Sequence, residues 1–257
     1  MHDLKIATGL LSASLLFAST WGMAQSSPPQ IHPVYPEVGI TWTPSDGSSS
    51  GMNTGSAGNT ASSNSTASGG SSLSKMMSQE WGQQAASNAE TMGVNADALA
   101  ATCVMESGCT NITSTHGSIT GAFQMTQSTY NAMIREALVD NPQLQLTQEQ
   151  INNGQNDPAV QAIAAAQYMK DGATYLQNKG ISNPTALDTR AYYNFGPADG
   201  YNIASAKDSD LMSDVLIHTS ATTQAANGIS SSMTVGQWKA SVAKKMGSSA
   251  NTPVLKQ

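Results

Sequence analysis

Between Gly47 and Ser72 the chain carries 10 Ser, 6 Gly, 3 Thr, 3 Asn, 3 Ala and one Met, and no charge. Such a tract cannot bury enough apolar surface to offset the entropy of ordering it. It reads as a flexible tether with an r.m.s. reach of about 28 Å. Whatever folds among the 257 residues must therefore lie C-terminal to it, beginning near Leu73. Gln25 to Pro44, on the other side, holds five of the ten prolines, with Ile31, Val34, Tyr35, Val38, Ile40 and Trp42 between them. Proline this dense favours extended chain. The segment serves either as plain linker or as an arm that docks through its apolar residues. Residues 25–72 together form the expected linker.

The first 24 residues read as a secretory signal peptide. Lys5 precedes an apolar run from Ile6 to Trp21, and Gly22-Met23-Ala24 places small residues at −3 and −1 of a cut after Ala24. A membrane span needs about 20 apolar residues, more than this run supplies. The expected destination is the periplasm or the exterior, with no membrane span after cleavage. Net charge is −6, from 11 Lys+Arg and 17 Asp+Glu. That balance argues against nucleic-acid binding, which needs a basic surplus, and against a polybasic lipid patch. Two cysteines are too few for a disulfide-dense scaffold or a four-cysteine zinc site.

The folding part is expected to be mainly α. Glu80 to Met92 has Trp81, Ala85, Ala86, Ala89 and Met92 at near-helical spacing, and Gly93 ends it. A second helix starts after Asn95, a cap residue, with Asp97 in its first turn. Its inward stripe runs Leu99, Cys103, Glu106, and Gly108 stops it. A glutamate that completes an apolar stripe is desolvated and suited to general-acid work. A glutamate in a ragged last turn simply faces water. Position alone leaves both open.

Cys103 and Cys109 bracket Glu106. On a continuous helix they would stand about 9 Å apart along the axis, too far for a disulfide. If they bond, the helix ends at Gly108 and turns back; otherwise they are free thiols. His116 reads as a loop residue, and the four histidines show no metal-ligand spacing. Past Ile203, "DSDLMSDVLIHT" suggests one more helix. Residues 219–257 read as a flexible tail with a possible amphipathic helix, in which Val235, Trp238 and Val242 share one side.

The segment "GVNADALAATCVMESGCTNITSTHGSITGAFQMTQSTY" resembles the soluble lytic transglycosylase family, the lysozyme-like enzymes of bacterial peptidoglycan. That family has a helix ending in Glu-Ser, a Gly-x-x-Gln further on and a later Tyr-Asn-x-Gly. Here these are Glu106-Ser107, Gly121 to Gln124 and Tyr193-Asn194-Phe195-Gly196. "DPAVQAIAAAQYM", Asp157 to Met169, is similar to the family's Asp-Pro helix, with Tyr168 near its end. The likeness runs from about Ser74 to about Ile203 and implies a single lysozyme-like catalytic domain, placed here at 73–218.

The resemblance also implies roles. Glu106 is the acid/base that protonates the glycosidic oxygen between N-acetylmuramic acid and N-acetylglucosamine, then accepts a proton from the muramyl 6-hydroxyl to leave a 1,6-anhydro ring. Ser107, Thr115 (or the adjacent Ser114), Gln124, Tyr193 and Asn194 contact substrate, and Tyr193 hydrogen-bonds Glu106. Tyr192 is the alternative register. Phe123 and Met125 are packing residues or sugar platforms. Departures are Phe195 in place of a small residue, Ala165 in place of glycine and Gln161 in place of asparagine. No cofactor or metal is expected. The partners implied are peptidoglycan glycan strands and an envelope-spanning secretion, conjugation or pilus machine; general wall recycling fits equally.

The general glycosidase pattern sets two carboxylates about the scissile bond. No Asp or Glu lies between Glu106 and Glu136. A single acid suits the transglycosylase reaction better than hydrolysis. Asp157, Asp188 and Asp199 remain as carboxylates that folding could bring close, with Asp157 more readily read as a helix cap before Pro158. A muramidase or a silent glycan-binding accessory are the other classes left.

Overall fold

The computed structural model describes residues 71–112 and 119–257. The expected signal peptide, proline-rich arm and Ser/Gly tether, and the loop residues Ser114, Thr115 and His116, lie outside the described residues. The described part is mainly α, with ten α-helices and one two-stranded hairpin. No helix in it is long and apolar enough to cross a membrane.

Helix α3 (Ala96–Ser107) is the centre of the fold. It packs against α1 (Ser71–Met77), α2 (Gly82–Thr91), α6 (Pro158–Asn178), α7 (Ala186–Ser205) and α10 (Val235–Met246). The expected narrow stripe is corrected: Ala96 and every residue from Ala98 to Cys103 are buried, so the helix is wrapped on all sides for two turns. Small side chains permit this, because four of those seven residues are alanine. The last turn, Val104 to Ser107, is half-buried, as is Asp97 in the first. Gly108 ends the helix at φ +65°, where a side chain would be strained.

The start of α3 differs from expectation in one respect. Asn95 occupies the cap position, but its amide donates to the Pro253 carbonyl at 2.6 Å. The orphan N–H of Ala96 is met instead by Glu90 Oε1 at 2.9 Å. The C-terminal segment of the chain thus docks here. Asn95 N–H donates to Val254 O at 2.9 Å, and Ala186 N–H to Thr252 O at 2.9 Å.

Helix α6 starts as read: the Asp157 carboxylate accepts from Ala159 and Val160 N–H, with Pro158 next. It continues through Asn178, past Met169. The connection before it forms α4 (Gln127–Asp140) and α5 (Gln148–Asn153). Helix α7 opens on a capping box between Thr185 and Asp188 and breaks at Gly196 (φ +79°), just before Pro197. The Tyr-Asn-x-Gly segment therefore ends one helical piece, and the kink starts another. The helix expected after Ile203 is a single turn, α8 (Met212–Val215). Helix α9 (Ala221–Ala226) follows.

The flexible tail expected at 219–257 is corrected. Its amphipathic helix exists as α10, and Val235, Trp238, Val242 and Met246 are all buried. Trp238 packs on Phe195 with ring centroids 6.3 Å apart. The Ser72 hydroxyl donates to Met246 O at 2.7 Å, so the body also begins slightly earlier than Leu73. Four large apolar side chains on one face need a partner surface, and the bulky Phe195 is part of it.

Candidate functional site

Glu106 stands in the last turn of α3, where the wrapped helix emerges. Its side chain is 10% exposed. Cys103 and Cys109 are joined across it, Cα to Cα 4.9 Å, with Cys109 at φ +60° after the Gly108 turn. The covalent link closes the backbone around the glutamate.

The facing wall is the turn from Thr120 to Gln124. Ser107 Oγ donates to Ala122 O at 2.6 Å, tying this turn to the end of α3. Gln161, fully buried on α6, holds it from behind. Its Nε2 donates to Thr120 O at 2.8 Å, and its Oε1 accepts from Phe123 N–H at 2.9 Å. Gly121 makes room for this clip. A Cβ there would lie 2.1 Å from Gln161 Oε1, and the backbone sits at φ +89°. The longer amide at 161, in place of asparagine, is what spans the gap. Gln124 has φ +45°, unusual for a residue with a side chain. Its Nε2 donates to Gly121 O at 2.7 Å, while its Oε1 makes no hydrogen bond among the described residues.

Helix α7 supplies the third side. The double tyrosine resolves into two environments. Tyr192 is core: a Cβ on Gly172 would lie 2.8 Å from its ring and one on Gly200 2.5 Å from its Cα. Tyr193 faces the site, with its hydroxyl donating to Phe123 O at 2.9 Å. That is a correction, since Tyr193 was expected to hydrogen-bond Glu106; a phenol has one proton to give. Tyr193 is nonetheless close enough to feel the carboxylate. Burial pushes its phenol well above its ordinary range, the Glu106 charge adds to this, and Arg190 opposes it. Asn194 is 9% exposed on the same helix. Tyr168 packs with tilted rings against Tyr193 at 5.1 Å and Tyr192 at 5.3 Å. Phe123 is fully buried edge-on to Trp81 at 6.1 Å, and Met125 is buried beside it in sequence, so both are packing residues.

The partner of Glu106 is Arg190. Its Nη1 pairs with Glu106 Oε1, and its side chain is 6% exposed. Of the two readings left open for Glu106, set on an apolar stripe or facing water, neither describes it fully: it forms a largely buried ion pair. Arg190 was missed in the sequence. The available signal was its rarity: the chain has two arginines, and this one lies three residues before Tyr193, one turn along the same face.

The three other carboxylates considered are engaged elsewhere. Asp157 caps α6. Asp188 closes the capping box of α7, its Oδ2 accepting from Thr185 N–H at 2.9 Å. Asp199 is fully buried and accepts from Thr219 Oγ1 at 2.6 Å and from His218 N–H. Of the residues singled out in the sequence, the fold thus brings together Glu106, Ser107, Gln124 and Tyr193, with Asn194 alongside. Comparison with family models finds no match to this chain, and comparison with curated proteins finds none either.

Proposed function

We propose that the chain is an exported lytic transglycosylase, cleaving the β-1,4 bond between N-acetylmuramic acid and N-acetylglucosamine through one acid/base, Glu106. One observation carries this reading. Glu106 is set at the emerging end of an otherwise buried helix, framed by the Gly121 to Gln124 turn and Tyr193, while Asp157, Asp188 and Asp199 each hold backbone elsewhere. A hydrolase of the usual kind asks for a second carboxylate as nucleophile or base. With one acid, the muramyl 6-hydroxyl is the natural nucleophile.

The chemistry is balanced by a single proton cycle. Glu106 first takes up a proton from solvent on Oε2 while Arg190 keeps Oε1, then gives it to the glycosidic oxygen as the C1–O bond breaks. The resulting carboxylate takes the proton from the 6-hydroxyl as that oxygen bonds to C1. The substrate's acetamido group supports the developing cation. Gln124 Oε1 is the side-chain acceptor in this turn left to hold sugar. Ser107, in contrast, has its hydroxyl on Ala122 and acts by shaping the turn. Local wall opening for a secretion, conjugation or pilus machine is the proposed setting.

The test is mass spectrometry of soluble muropeptides from purified peptidoglycan, with wild type beside Glu106→Gln. Anhydromuropeptides that disappear in the variant support the reading. Reducing-end products indicate a muramidase. No product from wild type, with retained glycan binding, indicates a silent accessory.

A further inference from the structure

Two largely buried opposite charges meet at the candidate acid. Such a pair loses most of its hydration on both sides and persists only where geometry compensates. Arg190 and Tyr193 lie one turn apart on α7, and they reach different walls. Arg190 holds the end of α3 through Glu106, and Tyr193 holds the facing turn through Phe123 O. One helical face therefore sets the position of both sides of the site.

The contact is selective within the carboxylate. Arg190 Nη1 engages Oε1, while Oε2 makes no hydrogen bond among the described residues. We infer that Arg190 is the positioning residue of Glu106: it anchors the carboxyl through Oε1 and leaves Oε2 to exchange the proton with the glycan. The inference rests on the transglycosylase reading for its substrate but on the ion pair for its geometry. It also assigns Arg190 a second effect. Between the two proton transfers Glu106 is an anion, and a fixed guanidinium balances that charge without moving. A guanidinium holds its charge and donors on a rigid frame, whereas a lysine ammonium is a point charge on a flexible stem.

The test has two arms on the full chain. With only two arginines, the guanidinium resonances are assigned by comparing wild type with Arg190→Lys in 15N-edited NMR. Glu106→Gln is expected to shift the Arg190 resonances and leave those of Arg135 in place; unchanged Arg190 resonances overturn the pairing. The second arm follows anhydromuropeptide release from soluble glycan strands, normalised to folded protein. Arg190→Met is expected to lower kcat by about 10–100-fold with KM within about threefold, and Arg190→Lys to recover part of kcat. A folded Arg190→Met that keeps wild-type kcat overturns the inference, as do equal losses in the Met and Lys variants that track their Tm. Should Arg190→Met not fold, the Lys variant and the resonances carry the decision. Wild type that releases no glycan fragment overturns the transglycosylase reading alone, and the resonances then decide the positioning role.

Discussion

Ser107 Oγ donates to the carbonyl of Ala122 at 2.6 Å, so the residue next to the candidate acid is tied to the turn that carries Gln124. The bond spans 15 residues of sequence. It links the two walls of the site independently of Arg190 and Tyr193. Removing the hydroxyl leaves the Ala122 carbonyl without this partner, at a cost of about 1–2 kcal/mol. Ser107→Ala is expected to lower Tm modestly and to reduce kcat for glycan cleavage more than it changes KM. A variant with wild-type kcat would show that the turn is held well enough by Gln161 alone.

Gln124 offers a separation of backbone from side chain. Its φ of +45° is costly for a residue bearing Cβ, by about 1 kcal/mol or more. Gln124→Gly relieves that strain and removes the amide. The expected outcome is stability equal to or above wild type in urea unfolding, together with at least a tenfold loss of activity. Activity that survives the change would mean the side chain does not touch substrate.

Trp238 connects the C-terminal helix to the Tyr-Asn-x-Gly segment. It is 6% exposed and packs on Phe195. Trp238→Ala should cost about 3–5 kcal/mol, as for other large core truncations, visible as a lower urea midpoint. Ending the chain at residue 218 should prevent folding, because Val235, Val242, Met246 and Val254 leave the core together. A stable, helical 1–218 fragment would contradict this.

Asp171 gives a pH dependence whose sign can be worked out. Burial raises its carboxyl to about 7, the charges of Glu136 and Asp140 add to this, and Gln167 and Lys170 oppose it. Gln167 Nε2 donates to Asp171 Oδ1 at 2.9 Å. Between its ordinary value near 3.8 and about 7 the folded chain holds a proton that the unfolded chain has lost. This contribution is fully present below about 3.8, is lost as pH rises towards 7, and is flat above that. Its full size is on the order of 2–4 kcal/mol. Asp171→Asn should therefore be less pH-dependent than wild type over this window, in thermal melts recorded from pH 4 to 8. Parallel curves for the two proteins would refute it.

Local chemistry made much of the frame legible. Asp157 before Pro158 marks a helix start because it supplies a carboxylate to the first free N–H groups. Gly108 marks a helix end because only glycine enters the left-handed region without strain. Cys103 and Cys109 meet because that turn reverses the chain. Each of these depends on residues within about six positions of one another. The amphipathic pattern of α10 was legible too, but its cover was not, since nothing near Trp238 in sequence points to Phe195.

What the sequence by itself determined is the mainly α character, the cap at Asp157 and the stop at Gly108, while the candidacy of Glu106, Gln124 and Tyr193 rested on their resemblance to the motifs of the lytic transglycosylase family. Tertiary structure alone decided the partners. Arg190 reaches Glu106 across 84 positions, and Tyr193 reaches Phe123 across 70. Gln161 clips a turn that begins 41 residues earlier. The physical reason is that a buried polar group must find a partner somewhere, yet its own residue type does not say where. The packing of α3, α6 and α7 sets which donors arrive within reach of which acceptors.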